Sequence, residues 1–259
     1  MKNAPLAGLG ILVTRPAHQS EHLANLILQA GGNPILFPAL EIVDVADLQP
    51  LNTLIDQLDH FDLAIFISPN AVNKAMNLIR ARRTLPVNLQ IVAIGKGSAK
   101  VLAQYGVKNV ITPQQRFDSE ALLDLPEMQA VSGKRIVVFR GDGGRELLGD
   151  QLSRRGAQLE YAECYRRQKP HADNGKLLYL WARNELHVIT VTSTEVLHNL
   201  FDLVGKLGQQ WLKKTPVFVP HERIAEVARE MGLQHMFVTE AGDEAMVAGI
   251  VAWQSLKTD

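Results

Sequence analysis

Three serines stand where a hydroxyl could meet an anion: Ser68 in Ile67-Ser68-Pro69-Asn70-Ala71-Val72, Ser98 in Gly95-Lys96-Gly97-Ser98, and Ser193 after Thr192. Each follows an apolar, β-branched run and precedes apolar residues at helical spacing. Each is therefore expected before or within a helix's first turn, where a hydroxyl and backbone N–H groups can receive a carboxylate. Arg15, Arg140 and Arg145 stand at or near equivalent turns and carry a charge suited to the same ligand. Helix capping alone accounts for any one serine. Recurrence at equivalent turns favours a cleft lined by amide and hydroxyl donors, suited to a large polyanion held at many points.

Other chemistries fail on spacing. Gly95-Lys96-Gly97-Ser98-Ala99-Lys100 begins like a dinucleotide fingerprint, but Lys100 occupies the place of the third glycine, which close helix packing requires. Gly141-Asp142-Gly143-Gly144 lacks the Gly-Lys-Ser/Thr of a phosphate loop, and no Gly-x-Ser-x-Gly elbow occurs. Of eight histidines only His18 and His22 have the i, i+4 spacing of two metal ligands on one helical face, and no third ligand is identifiable. His18, His22, His198 and His221 read as surface or cap residues. Lys+Arg and Asp+Glu are equal at 27 each, so no global field favours nucleic acid or an acidic membrane, and any anion site is local. The single cysteine, Cys164, excludes an internal disulfide and suits a reducing compartment. The amino-terminal apolar run reads as a first strand rather than a signal peptide, and no apolar run approaches the ~20 residues of a membrane span. The expected location is cytoplasmic.

Positioning these residues falls to a duplicated pattern. Phe61–Ile79 reads as a buried strand turning through Ser68-Pro69-Asn70 into a helix, and Leu186–Val204 repeats it without a gap, Ser193 standing 125 residues after Ser68. Val72, Ala75, Met76 and Ile79 become Leu197, Leu200, Phe201 and Val204, spaced i, i+3, i+4, i+7 in both copies. The opening sentence of the chain is a strand at Gly10–Thr14, a turn at Arg15-Pro16, a helix bearing Leu23, Leu26 and Ile27, and a stop at Gly31-Gly32. It is rewritten at Arg135–Gly156, with Arg140 in the place of Arg15. Short extended segments follow at Pro38–Val43 and Ala162–Arg167, and the strand at Leu89–Ile94 matches Val217–Val219. Strand and helix alternate twice over, which predicts two parallel sheets with helices on both faces. The serines then lie at carboxyl ends of strands, where open α/β sheets bind ligands.

Taken together, Val13-Thr14-Arg15-Pro16, the Ser68 turn, Ala93-Ile94-Gly95 with Ser98, Asp118-Ser119-Glu120 with Leu122-Leu123, Arg140-Gly141 with Gly144-Arg145, Tyr165-Arg166 and Thr192-Ser193 resemble uroporphyrinogen-III synthase. The similarity spans essentially the whole chain, and the order of the motifs is what makes it specific. One turn departs: Val219-Pro220-His221-Glu222-Arg223 stands where many members have a second glycine and threonine turn, so no role is carried onto it.

The resemblance implies an α/β fold of two doubly wound parallel-sheet domains of similar topology, joined by a two-stranded antiparallel linker. Residues 1–36 plus 169–259 form one domain, 43–162 the other, and 37–42 and 163–168 connect them, with the active cleft between. Each copy's opening strand and helix are exchanged into the other domain. The implied protein is a cytoplasmic, monomeric, cofactor-independent and metal-free lyase of haem and sirohaem biosynthesis. It cyclises hydroxymethylbilane, with inversion of ring D through a spiro intermediate and loss of water. Neither nucleic acid nor a membrane is an expected partner, and a transient contact with the preceding pathway enzyme is allowed for. Arg15, Ser68, Asn70, Ala71, Ser98, Arg140 and Ser193 map to substrate binding. By the same resemblance Tyr165, in the second connecting segment, maps to the family's catalytic tyrosine, and a phenol, protonated at neutral pH, can donate to departing hydroxide. The alternative is a two-domain small-anion binding protein without catalysis. A nucleotide-dependent enzyme is disfavoured by Lys100.

Overall fold

The computed structural model describes residues 4–114, 116, 118–143 and 146–258, so Gly144 and Arg145 lie outside the described residues. In chain order the first elements are β1 (Gly10–Val13), α1 (Glu21–Gln29), β2 (Asn33–Leu36), β3 (Glu41–Val43), α2 (Gln49–Asp56), β4 (Leu63–Phe66), α3 (Pro69–Arg82), β5 (Gln90–Ala93), α4 (Lys96–Gln104), β6 (Val110–Ile111), α5 (Ser119–Leu123) and α6 (Pro126–Gln129). There follow β7 (Arg135–Gly141), α7 (Leu147–Arg154), β8 (Gln158–Gln168), α8 (Gly175–Ala182), β9 (Val188–Thr190), α9 (Thr194–Leu203), α10 (Gly205–Leu212), β10 (Val217–Val219), α11 (Glu222–Glu230), β11 (Met236–Val238) and α12 (Asp243–Thr258).

These form two compact units: unit 1 comprises residues 1–41 and 168–259, and unit 2 comprises residues 42–167. In unit 1 the strand order is β11-β10-β9-β1-β2, with parallel pairing throughout. In unit 2 the order is β3-β8-β7-β4-β5-β6; pairing is parallel from β8 to β6, and the added edge strand β3 makes an antiparallel pair. β1 opens the first copy of the repeat but pairs with β9 of the second, and β7 opens the second copy but pairs with β4 of the first. The opening strands are therefore exchanged.

The strands are apolar on both faces because both faces are covered. Along β4, Ala64 and Phe66 point into a core with α2, α3 and α4 (Leu51, Ile55, Val72, Ala75, Leu102). Leu63 and Ile65 point the other way, onto Leu122, Met128, Leu148 and Leu152 from α5, α6 and α7. Unit 1 repeats the plan: Leu12, Ile189 and Val217 face helices α8 to α11, while Ile11, Val188 and Phe218 face α1 and α12. Gly31 and Gly156 end α1 and α7 at φ +87° and +88°, a left-handed conformation that favours glycine and explains the matched stop signals.

The connecting segments differ from expectation. The strand expected over 37–42 is one only at Glu41–Val43. Before it, Phe37 and Ala39 donate to the carbonyls of Val13 and Thr14 while Pro38, which has no N–H, interrupts the ladder. Residues 163–168 are no separate strand but the distal half of β8.

Candidate active site

The Ser68 turn is built by its own sequence. Pro69 pre-sets the first helical φ, and Ser68, extended at φ −159°, accepts the Ala71 N–H at 3.1 Å, while its carbonyl accepts the Val72 N–H at 3.0 Å. Such a cap contributes about 0.5–2 kcal/mol. The Ser68 hydroxyl lies 3.0 Å from the Tyr165 hydroxyl, which arrives from β8. Tyr165 is 6% exposed, and Asn70 stands half-buried at the same turn. Ser98 is buried in the first turn of α4, inside the helix rather than capping it, since Gly95 holds the cap position. A Cβ at Gly97 would lie 3.5 Å from Pro69 Cγ, so α4 begins beside the Ser68 turn.

Tyr165 reaches Ser68 through an irregularity in β8. Arg140 pairs with Glu163, but Gly141 pairs with Tyr165, leaving Cys164 as an extra residue. Cys164 and Tyr165 accordingly share one core, with Ala162, Phe139 and Phe66. Beyond the bulge the Tyr165 carbonyl accepts the Asp142 N–H at 2.9 Å, and the Asp142 carboxylate accepts the Arg167 N–H at 2.9 Å. Burial pushes the Cys164 thiol up to about 12, which makes it a poor nucleophile.

Arg140 is not brought to this turn. It lies on the opposite face of β7, 5% exposed, with its guanidinium carbon 4.6 Å from the centre of the Tyr161 ring and its Nε donating to the Gly141 carbonyl at 3.3 Å. In unit 1, Ser193 caps α9 by accepting the Val196 N–H at 3.1 Å. Arg15 Nη1 lies 2.5 Å from Asp243 Oδ1, and His22 Nδ1 lies 3.0 Å from the other oxygen of that carboxylate. His221 caps α11 by accepting the Arg223 N–H at 3.1 Å, so the departing turn is a helix start of another kind. Among the described residues no group of three or more His, Cys, Asp or Glu side chains is placed to hold a metal ion, and no helix is long and apolar enough to cross a membrane.

The family profile of HEM4: Uroporphyrinogen-III synthase HemD matches residues 21–248. The chain belongs to the uroporphyrinogen-III synthase family. It is 35% identical over 237 residues to the uroporphyrinogen-III synthase of Escherichia coli (strain K12), covering 91% of this chain and 96% of that one. The Salmonella typhimurium uroporphyrinogen-III synthase is 36% identical over the same extent. Among solved structures, a mutant uroporphyrinogen III synthase from the extremely thermophilic bacterium Thermus thermophilus superposes with a TM-score of 0.63 at 18% identity, covering 97% of this chain and all of that one. The Helicobacter pylori 26695 uroporphyrinogen-III synthetase does so with a TM-score of 0.59 at 16% identity over 95% of this chain and 99% of its own. At such identities the structural likeness speaks for the fold, which is that of the synthase family.

Two residues at this site lay beyond sequence reasoning. Gly141, on which the Tyr165 ring rests, enters the sequence reading only beside Arg140 and, with Asp142, in a segment that fails as a phosphate loop, and neither signal gives a role to it or to Asp142, which pins the far side of the bulge.

Proposed function

We propose that the chain closes hydroxymethylbilane, a linear tetrapyrrole with eight carboxylates, to uroporphyrinogen III with inversion of ring D. Family membership supports the reaction, and the observation that carries the site is the buried Tyr165 hydroxyl 3.0 Å from the hydroxyl that caps α3. In this reading Tyr165 donates to the departing hydroxyl, which leaves as water, and the bilane becomes an electrophilic azafulvene. The substituted α-carbon of ring D attacks it to give a spiro intermediate. That intermediate fragments, recloses at the other α-position of ring D and loses a proton. Closure without the enzyme gives the uninverted isomer, so catalysis is largely the holding of a reactive chain in one fold.

Asn70, Ala71 and Ser98 of unit 2, and Arg15 and Ser193 of unit 1, receive carboxylates, while Arg140, buried against the Tyr161 ring, stands apart from that set. Helix-start amides and hydroxyls suit many moderate contacts rather than one tight clamp. Arg15 shares its charge with Asp243, so a carboxylate there competes with an existing ion pair. The reaction needs no cofactor, and the protein works as a monomer on this small-molecule substrate. The decisive experiment supplies hydroxymethylbilane after exhaustive chelation and dialysis and separates the products by chromatography. Isomer III is expected. Isomer I alone, at the uncatalysed rate, with the bilane merely bound, would replace this reading by that of an anion-binding protein.

A further inference from the structure

A regular β8 would put Tyr165 on the wrong side of the sheet. Successive strand residues alternate faces, and Leu159 packs against the core that holds Ile136 and Val138, whereas Ala162 and Cys164 belong to the core that holds Phe139 and Phe66. By that alternation Tyr165 belongs with Tyr161 and Glu163, away from Ser68. The extra residue at Cys164 reverses the parity, and Tyr165 joins the Ser68 side. Having arrived there, the ring needs room directly over its partner strand. A Cβ on Gly141 would stand 2.5 Å from Tyr165 Cε2 and 2.6 Å from Cζ. Ordinary contact begins near 3.4 Å, so any side chain at 141 drives the ring back by about an ångström. Gly141 is not among the glycines with positive φ, so what it supplies is space and not backbone freedom. The repeat shows that the seat is particular to unit 2, because Pro16 and Leu40 stand 125 residues before Gly141 and Tyr165.

We propose that Gly141 and Ser68 are positioning residues that act through Tyr165: the bare α-carbon of Gly141 seats the ring, and the Ser68 hydroxyl fixes where the phenol oxygen lies. Ser68 Oγ already accepts the Ala71 N–H, so its own proton is available to the Tyr165 oxygen. A phenol that accepts there keeps its proton for the departing hydroxyl. As that proton leaves, the Ser68 O–H supports the phenolate oxygen, and reprotonation from water or from the proton released at ring closure restores Tyr165. The inference rests on the reading of Tyr165 as the donor to the leaving hydroxyl, and it gives Ser68 a role other than carboxylate binding.

The test is a pair of double-mutant cycles on kcat and KM, with thermal unfolding of every variant. Gly141→Ala displaces the ring by about an ångström and is expected to lower kcat up to about 10²-fold with KM little changed. Ser68→Ala removes one hydrogen bond and is expected to lower kcat by a few-fold to about tenfold, with Ser68→Thr restoring most of it. In a Tyr165→Phe background the ring remains but its hydroxyl is gone. There, Gly141→Ala should still lower the melting temperature, yet neither substitution should lower kcat further. Should Gly141→Ala fail to fold, the Ser68 cycle carries the test alone. Losses of the same size with and without the Tyr165 hydroxyl, or a Ser68→Ala effect confined to KM, overturn the proposal. Wild-type kcat in folded Tyr165→Phe overturns it together with the role of Tyr165, while continued formation of isomer III would leave the synthase reading standing.

Discussion

Ser68 and Ser193 are the same residue written twice: each ends a parallel strand, each adopts an extended backbone, and each accepts the N–H three residues on at 3.1 Å. Around them the two units part company. Beside Ser68 lies the Tyr165 hydroxyl, whereas 125 residues before Tyr165 stands Leu40, buried among apolar side chains of unit 1. Ser98 in the first turn of α4 has Ile224 as its counterpart in α11, again buried and apolar. The reverse substitution occurs one layer deeper. Thr14 donates to the Thr190 carbonyl at 2.6 Å and Thr190 to the Leu12 carbonyl at 2.8 Å, while the residue matching Thr14 in unit 2 is Phe139, stacked on Phe66 at 4.7 Å. Both units keep the cap, and unit 2 places a phenol hydroxyl beside it. The caps stabilise, and the neighbours specialise.

The largest effect that could break this comparison is on turnover. Tyr165→Phe keeps the ring and removes the donor; positioned proton transfer contributes about 10²–10⁴-fold in general, and for a substrate that loses its hydroxyl readily the lower end or less is expected. The melting temperature should barely move, because the hydroxyl bonds to a serine that keeps its own cap. Steady-state assay beside a thermal scan checks both, and unchanged turnover would make the two turns functionally alike.

Next comes stability. Thr190→Val deletes a fully buried hydroxyl donor in unit 1 and should cost about 1 kcal/mol, read by urea unfolding, with little effect on turnover. The caps themselves should prove equal: Ser68→Ala and Ser193→Ala each lose about 0.5–2 kcal/mol of stability. Only the Ser68 variant should add a loss of kcat, and equal kinetic losses would erase the distinction drawn between the units.

Acid offers the smallest and most selective handle. The Gly10 N–H donates to His187 Nδ1 at 2.9 Å, and 125 residues on the Arg135 N–H donates to Asp62 Oδ2 at 2.8 Å. The same bond thus rests on an imidazole in unit 1 and a carboxylate in unit 2. Burial lowers the His187 pKa from 6.5, so below about that pH the unfolded chain binds the extra proton first. Stability from this group is present above 6.5 and is lost as pH falls through the lowered folded value. Hydrogen exchange at mildly acidic pH should show β1 and β9 loosening before β7 and β4, and His187→Asp should remove the difference.

Much of this was legible in the sequence because repetition multiplies weak signals. The Val72, Ala75, Met76, Ile79 stripe is fully buried as its spacing demands, and the two helix-stopping glycines sit at nearly equal φ. What escaped notice was of two kinds. Short elements hid behind ambiguous residues: Gly205, at φ +65°, ends α9 but the chain resumes at once as α10, and α8 buries only Leu177 and Trp181, too few positions for periodicity to announce a helix. Within the site, Arg140 and Tyr165 both follow apolar strand residues, yet the parity of β8 depends on one bulged residue that no periodicity announces. Exchange of the opening strands was likewise invisible to spacing and came with the resemblance.

That exchange has a consequence during synthesis. Unit 2 is one continuous stretch, 42–167, whereas unit 1 needs both ends of the chain. Gly10 must wait for His187, 177 positions later, which at ~5–20 residues per second is roughly 10–35 s on the ribosome. Throughout that interval the Gly10–Val13 strand is an apolar edge without its β9 neighbour, open to wrong pairing. A nascent chain stalled soon after β8 has emerged should therefore carry a protease-resistant core of residues 42–167 behind an amino end that is still cleavable.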